Sequence, residues 1–336
     1  MKKYQLYAVG SALVDIEFET SLDQLQKFGI KKGFMALVDE AKQSNLIAHV
    51  QGKEHTKACG GSAANTIVGF SQFGGKGFYS CRVADDEMGD FFLKSLLQAG
   101  VETNLNGTQR SQGITGKCMV LVTPDADRTM NTFLGINERI SKEDIVESAL
   151  SSSTYLYIEG YLVAFPAGRA VAKEAKRLAE KHNVKTSLTF SDPSMTEYFK
   201  DGLLEVLGEG VDLLFCNEAE ARIFSGANDV RVAADHLTKL AKSFVITLGP
   251  RGALVFDGKS FKNVEAFKTK AIDTTGAGDL FAGAYIYALT QGHSPAEAGR
   301  FACLAASKVV SRFGPRLNAD EARELLHQWK HGKRET

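Results

Sequence analysis

The sequence lacks a net charge and has few cysteines. Its 336 residues include 40 basic and 40 acidic side chains, so no overall field favours nucleic acid or an anionic membrane. The five cysteines are scattered and never stand in C-x-x-C spacing, which argues against a disulfide framework and against a zinc site. We therefore expect reduced thiols and a small-molecule substrate, with no nucleic-acid or membrane partner.

Long apolar segments are also missing. No run of about 18 apolar residues occurs, and the chain begins with two lysines followed by a strand-like stretch that contains Asp15. With 44% hydrophobic residues the chain can still bury one large α/β core or two smaller ones. These features predict a soluble, cytoplasmic globular protein.

Two familiar glycine motifs are absent as well. The sequence comes closest to the P-loop pattern at 69–74. However, Gly75 and Gly77 flank Lys76, so the required Lys-Ser/Thr pair is missing. A dinucleotide-binding fingerprint would need a third glycine where Phe281 stands. These departures argue against a Walker-type ATPase and disfavour an NAD-dependent dehydrogenase, which we keep as an alternative of a different class.

Strand-like and helix-like segments alternate along the chain. Short apolar runs predict strands at 4–14, 155–159, 185–190, 213–216, 244–247 and 253–256. Apolar residues at three- and four-residue spacing predict helices at 63–73, 91–99, 166–182, 230–242, 280–290, 295–312 and 319–330. This alternation is typical of an α/β fold with a doubly wound, mostly parallel sheet flanked by helices, whose ligands bind beyond the carboxyl ends of the strands.

One region departs from the alternation. Residues 116–122 and 128–134 read as two strands around a turn, which is a hairpin pattern. We expect the inserted segments 16–40 and 113–137 to form a small β lid within a single domain, 1–336. The alternative is an edge extension of the main sheet. When the lid closes, we expect Arg128 to approach the phosphates or the substrate; the alternative for Arg128 is a solvated surface arginine.

The segment 273–279 places a carboxylate in a glycine-rich helix start. Free amides at such a start bind anions, so we expect those of Gly276, Ala277 and Gly278 to hold a transferring phosphoryl group. Asp279 would accept the proton of the attacking hydroxyl, and the helix N-terminus should favour its ionised form. The alternative is an Asp or Thr N-cap with glycines that permit close packing.

Six motifs follow one another between about residue 5 and about residue 318, at 10–15, 59–65, 85–89, 217–220, 247–252 and 273–279. In this order they resemble those of the ribokinase-like, or PfkB, carbohydrate and nucleoside kinases. The resemblance implies an ATP-dependent kinase that phosphorylates a primary hydroxyl. It also implies substrate binding by Asp15, Gly60, Gly61, Ser62 and Asn65.

The resemblance further implies a site for ATP, the co-substrate. Its residues would be Asn217, Glu220, Thr247, Gly249, Gly252 and Thr275. Carboxylates commonly reach Mg²⁺ through retained water, so Glu220 would orient a hydrated Mg²⁺; the alternative for Glu220 is a solvated charge on a helix face. A monovalent cation such as K⁺ and a homodimer are further expectations.

The substrate is predicted from weaker similarities. Residues 33–38, 159–162 and 191–194 resemble a bacterial adenosine-kinase-like subgroup, so an adenosine-like nucleoside is the lead substrate. Ser11 departs from the asparagine that adenosine kinases tend to carry, and a sugar kinase acting on ribose or fructose is the alternative. A non-catalytic nucleotide-binding protein is a further alternative, although such a protein would lose Asp279 or the glycines before it. The side chains of Phe34, Met35, Phe133 and Phe165 would stack on a purine or serve as ordinary packing.

Overall fold

The computed structural model describes residues 2–50, 54–107, 110–125 and 127–331. Its strands are β1 (Tyr4–Val9), β2 (Leu13–Glu19), β3 (Met35–Leu37), β4 (Glu54–Gly60), β5 (Gly77–Ser80), β6 (Glu102–Thr103), β7 (Gly116–Val122), β8 (Arg128–Phe133), β9 (Ser153–Ile158), β10 (Lys185–Thr189), β11 (Val211–Asn217), β12 (Ala241–Thr247), β13 (Ala253–Phe256) and β14 (Phe261–Val264). Its α-helices are α1 (Leu22–Lys27), α2 (Glu40–Val50), α3 (Ser62–Gln72), α4 (Glu87–Gln98), α5 (Glu147–Ser151), α6 (Pro166–Lys181), α7 (Pro193–Tyr198), α8 (Lys200–Leu207), α9 (Glu218–Ser225), α10 (Val230–Leu237), α11 (Ala277–Thr290), α12 (Pro295–Val309) and α13 (Ala319–His331).

The main sheet has the strand order β14-β13-β12-β11-β10-β9-β1-β5-β6 in the described part of the chain. In this spatial order, every neighbouring pair from β12 to β6 is parallel. Strands β13 and β14 add an antiparallel edge. Parallel neighbours need crossover connections, which the helices between the strands supply. The predicted doubly wound, mostly parallel sheet is confirmed.

Alternate residues of each central strand point into two different cores. Leu6 and Ala8 of β1 pack with α3, α11 and α12 on one face of the sheet. Tyr7 and Val9 of the same strand pack with α6, α8, α9 and α10 on the other face. Because both faces of the sheet are covered, the ligand site must lie at the ends of the strands.

A second sheet has the order β3-β8-β7-β2-β4 in the described residues. Strands β7 and β8 form the predicted antiparallel hairpin, and this hairpin belongs to a sheet of its own rather than to an edge of the main sheet. Strand β4 also joins the second sheet, although it lies outside the predicted segments 16–40 and 113–137. Ala126, in the predicted turn, lies outside the described residues.

The two faces of the second sheet have different neighbours. Ile16 and Phe18 of β2 pack against α1 and α2. Leu13 and Asp15 lie on the opposite face, because side chains alternate along a strand, and both line a pocket. The second sheet therefore contributes both a carboxylate and apolar side chains to the lining of this pocket.

The single strand predicted at 4–14 is wrong. The chain leaves the main sheet after Val9 and enters the second sheet at Leu13. Between them, the amide of Ser11 donates to Glu159 at 3.1 Å and the amide of Ala12 donates to Asn137 at 2.9 Å. These buried side-chain acceptors replace the strand partners, so the turn satisfies its backbone without a sheet.

Two of the predicted helices differ from the structure by four or more residues at one end. The helix predicted at 230–242 ends at Leu237, because Ala241 already pairs with Val211 in the main sheet. The helix predicted at 91–99 begins at Glu87, since the carboxylate of Asp86 accepts the amide of Gly89 at 2.7 Å and caps the helix.

Helices α3 and α11 lie unusually close to each other. A Cβ atom at Gly283 of α11 would come within 2.4 Å of the carbonyl oxygen of Thr66 in α3. Only glycine permits this approach. It brings the start of α3 beside the start of α11, where Asp279 lies.

No helix in the described ranges is both long and apolar enough to cross a membrane. The five cysteines are buried, free thiols.

Candidate active site

A pocket of about 660 Å³, counting its open mouth, lies where the second sheet meets the helix starts and strand ends of the main layer. It brings together the predicted residues Asp15, Gly61, Ser62, Asn65, Arg128, Thr275, Gly276 and Asp279. Gly60 lies against Asp15, and Ala277 and Gly278 follow Gly276 in the first turn of α11.

Two side chains from α3 hold the carboxylate of Asp279. Ser62 Oγ donates to Oδ1 at 2.7 Å, and Asn65 Nδ2 donates to Oδ2 at 2.9 Å. Gly276, in the left-handed region at φ 74°, is the N-cap of α11. The amide of Ala277, expected to be free for a phosphoryl group, instead donates to the Thr274 carbonyl at 3.2 Å. The carboxylate is thus fixed beside a helix N-terminus.

The expected effect of the helix start on the ionisation of Asp279 is joined by an opposing effect of burial, which the sequence did not show. Burial raises the pKa of the Asp279 carboxyl above its ordinary value. The hydrogen bonds from Ser62 and Asn65 and the charges of Arg128 and Arg316 oppose this shift. Desolvation therefore outweighs the donors around Asp279.

Asp15 lies on β2 with 6% of its surface exposed. Burial raises its pKa to about 8, and the nearby Glu17 adds to the shift. A Cβ atom at Gly60 would come within 2.0 Å of the Asp15 carboxylate, so the glycine on the paired strand β4 makes room for this side chain. Burial thus favours the protonated form of Asp15.

Asn65 is held at both ends of its amide. Besides the bond to Asp279, its Oδ1 accepts a hydrogen bond from Nε of Arg316 at 2.7 Å. Sequence reasoning gave Arg316 no role, because a single arginine after Gly-Pro near the chain's end belongs to no local pattern that marks a site.

Arg128 connects the second sheet to the loop before α11. Its Nη1 donates to the carbonyl oxygen of Thr274 at 2.9 Å, and its side chain lines the pocket. The alternative of a fully solvated arginine is therefore wrong. The guanidinium keeps further donors that a bound anion can use.

The loop before Gly276 is closed by Asp273, which is fully buried. Its Oδ1 accepts the amide and the hydroxyl of Thr275 at 2.8 and 2.6 Å, and its Oδ2 accepts the amide of Gly314 at 2.9 Å. Thr275, which was predicted to bind ATP, thus uses its amide and its hydroxyl in hydrogen bonds to Asp273 within this loop.

Asn217 and Glu220 lie at the carboxyl end of β11 and do not line the Asp279 pocket. They form a capping box in which Glu220 accepts the amide and the side-chain nitrogen of Asn217 at 2.9 and 2.6 Å. Glu220 has 3% of its surface exposed, so the alternative of a solvated helix-face charge is wrong. Burial raises its pKa to about 8.

Thr247, Gly249 and Gly252 lie beside this capping box. Thr247 ends β12 and pairs with Asn217 across the sheet. Gly249 and Gly252 form the turn to β13, closed by a 2.7 Å bond from the Leu248 amide to the Gly252 carbonyl. The predicted ATP residues other than Thr275 therefore share the carboxyl ends of β11 and β12.

Glu159 is a buried carboxylate that sequence reasoning used only as part of a subgroup resemblance. Its oxygens accept the amides of Ser11 and Ala63 at 3.1 and 2.8 Å. It thereby caps α3, whose N-cap Gly61 has no side chain to do so. Burial raises the pKa of Glu159 to about 7.

The apolar wall of the pocket differs from the predicted one. Met35 lines the pocket, whereas Phe165 is buried in the main core. The ring centroid of Phe34 lies 3.6 Å from the ammonium nitrogen of Lys31. The other apolar lining residues are Leu13, Leu37, Met130 and Leu134. Tyr161 adds an aromatic side chain to the lining, so the wall is mainly, but not wholly, aliphatic and thioether.

A pocket with polar and apolar lining at the strand ends of a doubly wound sheet, with a carboxylate fixed at a helix start, is typical of a small-molecule enzyme of the α/β class. Residues 24–322 match the profile of the pfkB family carbohydrate kinases. The chain belongs to this family. It is a phosphotransferase with an alcohol group as acceptor, which excludes the dehydrogenase alternative.

Individual relatives agree with this family. The structure of a probable sugar kinase from Rhizobium etli is 31% identical, with 96% of this chain and 98% of that chain covered and a TM-score of 0.92. An adenosine kinase from Sinorhizobium meliloti is 33% identical, with the same coverage and a TM-score of 0.91. A ribokinase from Haemophilus influenzae is 28% identical over 291 residues, which are 83% of this chain and 90% of the relative.

Proposed function

We propose that the protein transfers the γ-phosphoryl group of ATP to a primary hydroxyl of a small nucleoside or sugar, with Asp279 as the general base. The observation that carries the proposal is the Asp279 carboxylate, which Ser62 and Asn65 fix at 2.7 and 2.9 Å in the pocket that also contains Asp15. Phosphoryl transfer depends mainly on alignment and on neutralisation of charge. A fixed acceptor beside helix amides offers both.

The raised pKa of Asp279 suits a general base. A base is most effective when its pKa lies near the working pH, because it must be ionised and still attract a proton. Burial moves Asp279 in that direction from its ordinary value. The amides of Gly276 and Gly278 and the guanidinium of Arg128 would face the transferred group.

Asp15 and Asn65 would bind a pair of substrate hydroxyls. Two hydroxyl donors stabilise the ionised form of Asp15 and so oppose the burial that raises its pKa to about 8. Binding would then favour the ionised form of Asp15. Gly60 leaves room for this carboxylate, and Gly61 leaves room for the nearby Ser11 carbonyl.

Mg²⁺ fits the ATP region only through retained water. Glu220 supplies one buried carboxylate, and each of its oxygens accepts one hydrogen bond from Asn217, which leaves a lone pair on each for a water ligand. Mg²⁺ would neutralise charge on the phosphates, and Glu220 would orient its water. A monovalent cation such as K⁺, a homodimer and a cytoplasmic location stay predictions.

An adenosine-like nucleoside is the lead substrate. The aliphatic wall of Leu13, Met35, Leu37, Met130 and Leu134 offers an apolar surface to a purine. The Sinorhizobium meliloti relative is named an adenosine kinase. The alternative is a sugar kinase for ribose or fructose, which the relatives named ribokinase and probable sugar kinase favour.

A coupled assay of ADP release with adenosine, inosine, ribose and fructose tests the proposal. We expect the highest kcat/KM with adenosine and background rates with Asp279→Asn. Preference for ribose or fructose would replace the nucleoside by a sugar. Turnover by Asp279→Asn at the parental rate would overturn the assignment of the base.

A further inference from the structure

Arg316 lies in the segment between α12 and α13, and its side chain contacts Asn65, which lines the pocket. Its Nε donates to Asn65 Oδ1 at 2.7 Å and its Nη1 donates to Ser95 Oγ at 3.0 Å. Its Nη2 is buried and has no hydrogen-bond partner in the described residues. The guanidinium is thus placed against two neutral side chains, which is a costly environment for a charge.

The contact with Arg316 determines which way the Asn65 amide points. A guanidinium has only donors, so the atom of Asn65 that faces it must be the oxygen. The NH₂ group then points to Asp279, where it donates at 2.9 Å. Because an ionised carboxylate has only acceptors, the opposite amide orientation would lose both bonds.

The backbone beside Arg316 is fixed to the loop that precedes Asp279. Gly314 donates to the Asp273 carboxylate at 2.9 Å. The Pro315 carbonyl lies so near Gly276 that a Cβ atom there would be 2.3 Å from it. Arg316 and Asp279 therefore belong to one packed unit, although they come from different elements.

The charges around these groups act in a known direction. The charged and titratable groups that face Asp279 are Arg128, Arg316, Asp15, Glu159 and Glu220, with the phenols of Tyr157 and Tyr161. Those that face Arg316 are Cys59, Asp15, Tyr79 and Asp279. Arg316 lowers the pKa of Asp279, so its removal raises that pKa further.

We propose that Arg316 is a positioning residue for the phosphoryl transfer, because it fixes the Asn65 amide that holds the Asp279 carboxylate toward the substrate. This inference rests on the proposed role of Asp279 as the base. It gives a role to a buried guanidinium whose hydrogen-bond partners are two neutral side chains. Arg316 would orient the base and influence its protonation state, and it would not contact the reacting atoms.

Steady-state kinetics of Arg316→Met as a function of pH test the proposal. We expect kcat to fall about tenfold, the order of effect for a misplaced catalytic group, and the acidic limb of the kcat profile to move to higher pH. Arg316→Lys keeps the charge, so the acidic limb of its kcat profile should lie between those of the parent and of Arg316→Met. In an Asn65→Ala background, Arg316→Met should lower kcat much less than in the parent, because coupled residues are not additive.

Arg312→Met is the matched control, since Arg312 belongs to the same segment but pairs with Glu321 at the start of α13. It removes an arginine without touching Asn65, so the acidic limb should stay in place. Thermal denaturation checks folding, and Arg316→Lys and Arg316→Gln carry the test if Arg316→Met does not fold. The role of Arg316 is overturned if Arg316→Met has the kcat and pH profile of Arg312→Met while Asp279→Asn is inactive. A parental kcat in Asp279→Asn would overturn the proposed function, and the role of Arg316 with it.

Discussion

The hydroxyl of Ser62 donates a 2.7 Å hydrogen bond to the carboxylate of Asp279, although the two residues are 217 positions apart in the chain. One stands at the start of α3 and the other in the first turn of α11. The candidate base is therefore held by a helix that also begins at the substrate pocket, so the orientation of the base and the binding of substrate depend on the same packing.

Replacement of the base should abolish most of the activity. Asp279→Asn keeps the shape of the side chain but removes the proton acceptor, so kcat should fall roughly a hundredfold or more. Calorimetry should still show binding of substrate and ATP. Ser62→Ala, which removes one donor to the carboxylate and keeps the base, should cost less. A kcat near that of the parent in Asp279→Asn would contradict the role.

Asp15→Ala should weaken substrate binding. The substitution leaves substrate hydroxyls in the pocket without their acceptor, which costs about 1–3 kcal/mol or more. Isothermal calorimetry with the best substrate measures the change, and the affinity for ATP serves as the internal control. Unchanged affinity for substrate would make Asp15 a structural residue.

The stability of the protein should depend on pH through Asp15. Burial raises its pKa in the folded state to about 8, above the ordinary 3.8, so the folded protein binds this proton more tightly than the unfolded chain does. The contribution of Asp15 to stability is full below the ordinary pKa and is lost as the pH rises to about 8. The Tm of Asp15→Asn relative to the parent should therefore increase from pH 5 to pH 9. A constant difference would show that Asp15 ionises normally.

Glu159→Gln should destabilise the fold. Both carboxylate oxygens accept backbone amides, from Ser11 and Ala63, and a glutamine can accept only one of them with its oxygen. The free energy of unfolding should decrease by about 1–3 kcal/mol. Glu174→Gln is the control, because that carboxylate forms a surface pair with Arg177, and its change should be within about 0.5 kcal/mol. Equal effects of the two substitutions would refute the capping role of Glu159.

The hairpin of β7 and β8 should become protected when ligands bind. If the second sheet closes over the substrate, hydrogen exchange of residues 116–134 should slow when substrate and an ATP analogue are added, while exchange of β9 and β10 stays slow throughout. Mass spectrometry of peptides from both regions measures this. Unchanged exchange in an active sample would show that the second sheet is a fixed part of the scaffold.

The fold was largely predictable because its pattern is local. Apolar runs and helical spacing recur along the chain, and they predicted the parallel sheet and the hairpin of β7 and β8. The break at 10–12 was not predictable, since its acceptors Asn137 and Glu159 lie more than a hundred positions away. Strand 4–14 looked continuous in sequence because both of its halves are apolar.

The site was predictable only where a motif lies in one stretch. The segment 273–279 identified the helix start and its carboxylate. Arg316 has no such signal, because its place next to Asn65 depends on how the segment after α12 packs against α3. The direction of the Asp279 pKa also depends on burial by distant elements, which no local stretch of sequence shows.

The close approach at Gly283 means that residues far from any ligand limit what the enzyme can tolerate. Gly283 stands one turn after Asp279, and a methyl group there would press on the Thr66 carbonyl and drive α11 away from α3. Such a movement should lengthen the two hydrogen bonds from α3 to Asp279. A folded, thermally stable variant can therefore be inactive, so a survey of interior substitutions in this protein should score turnover as well as melting.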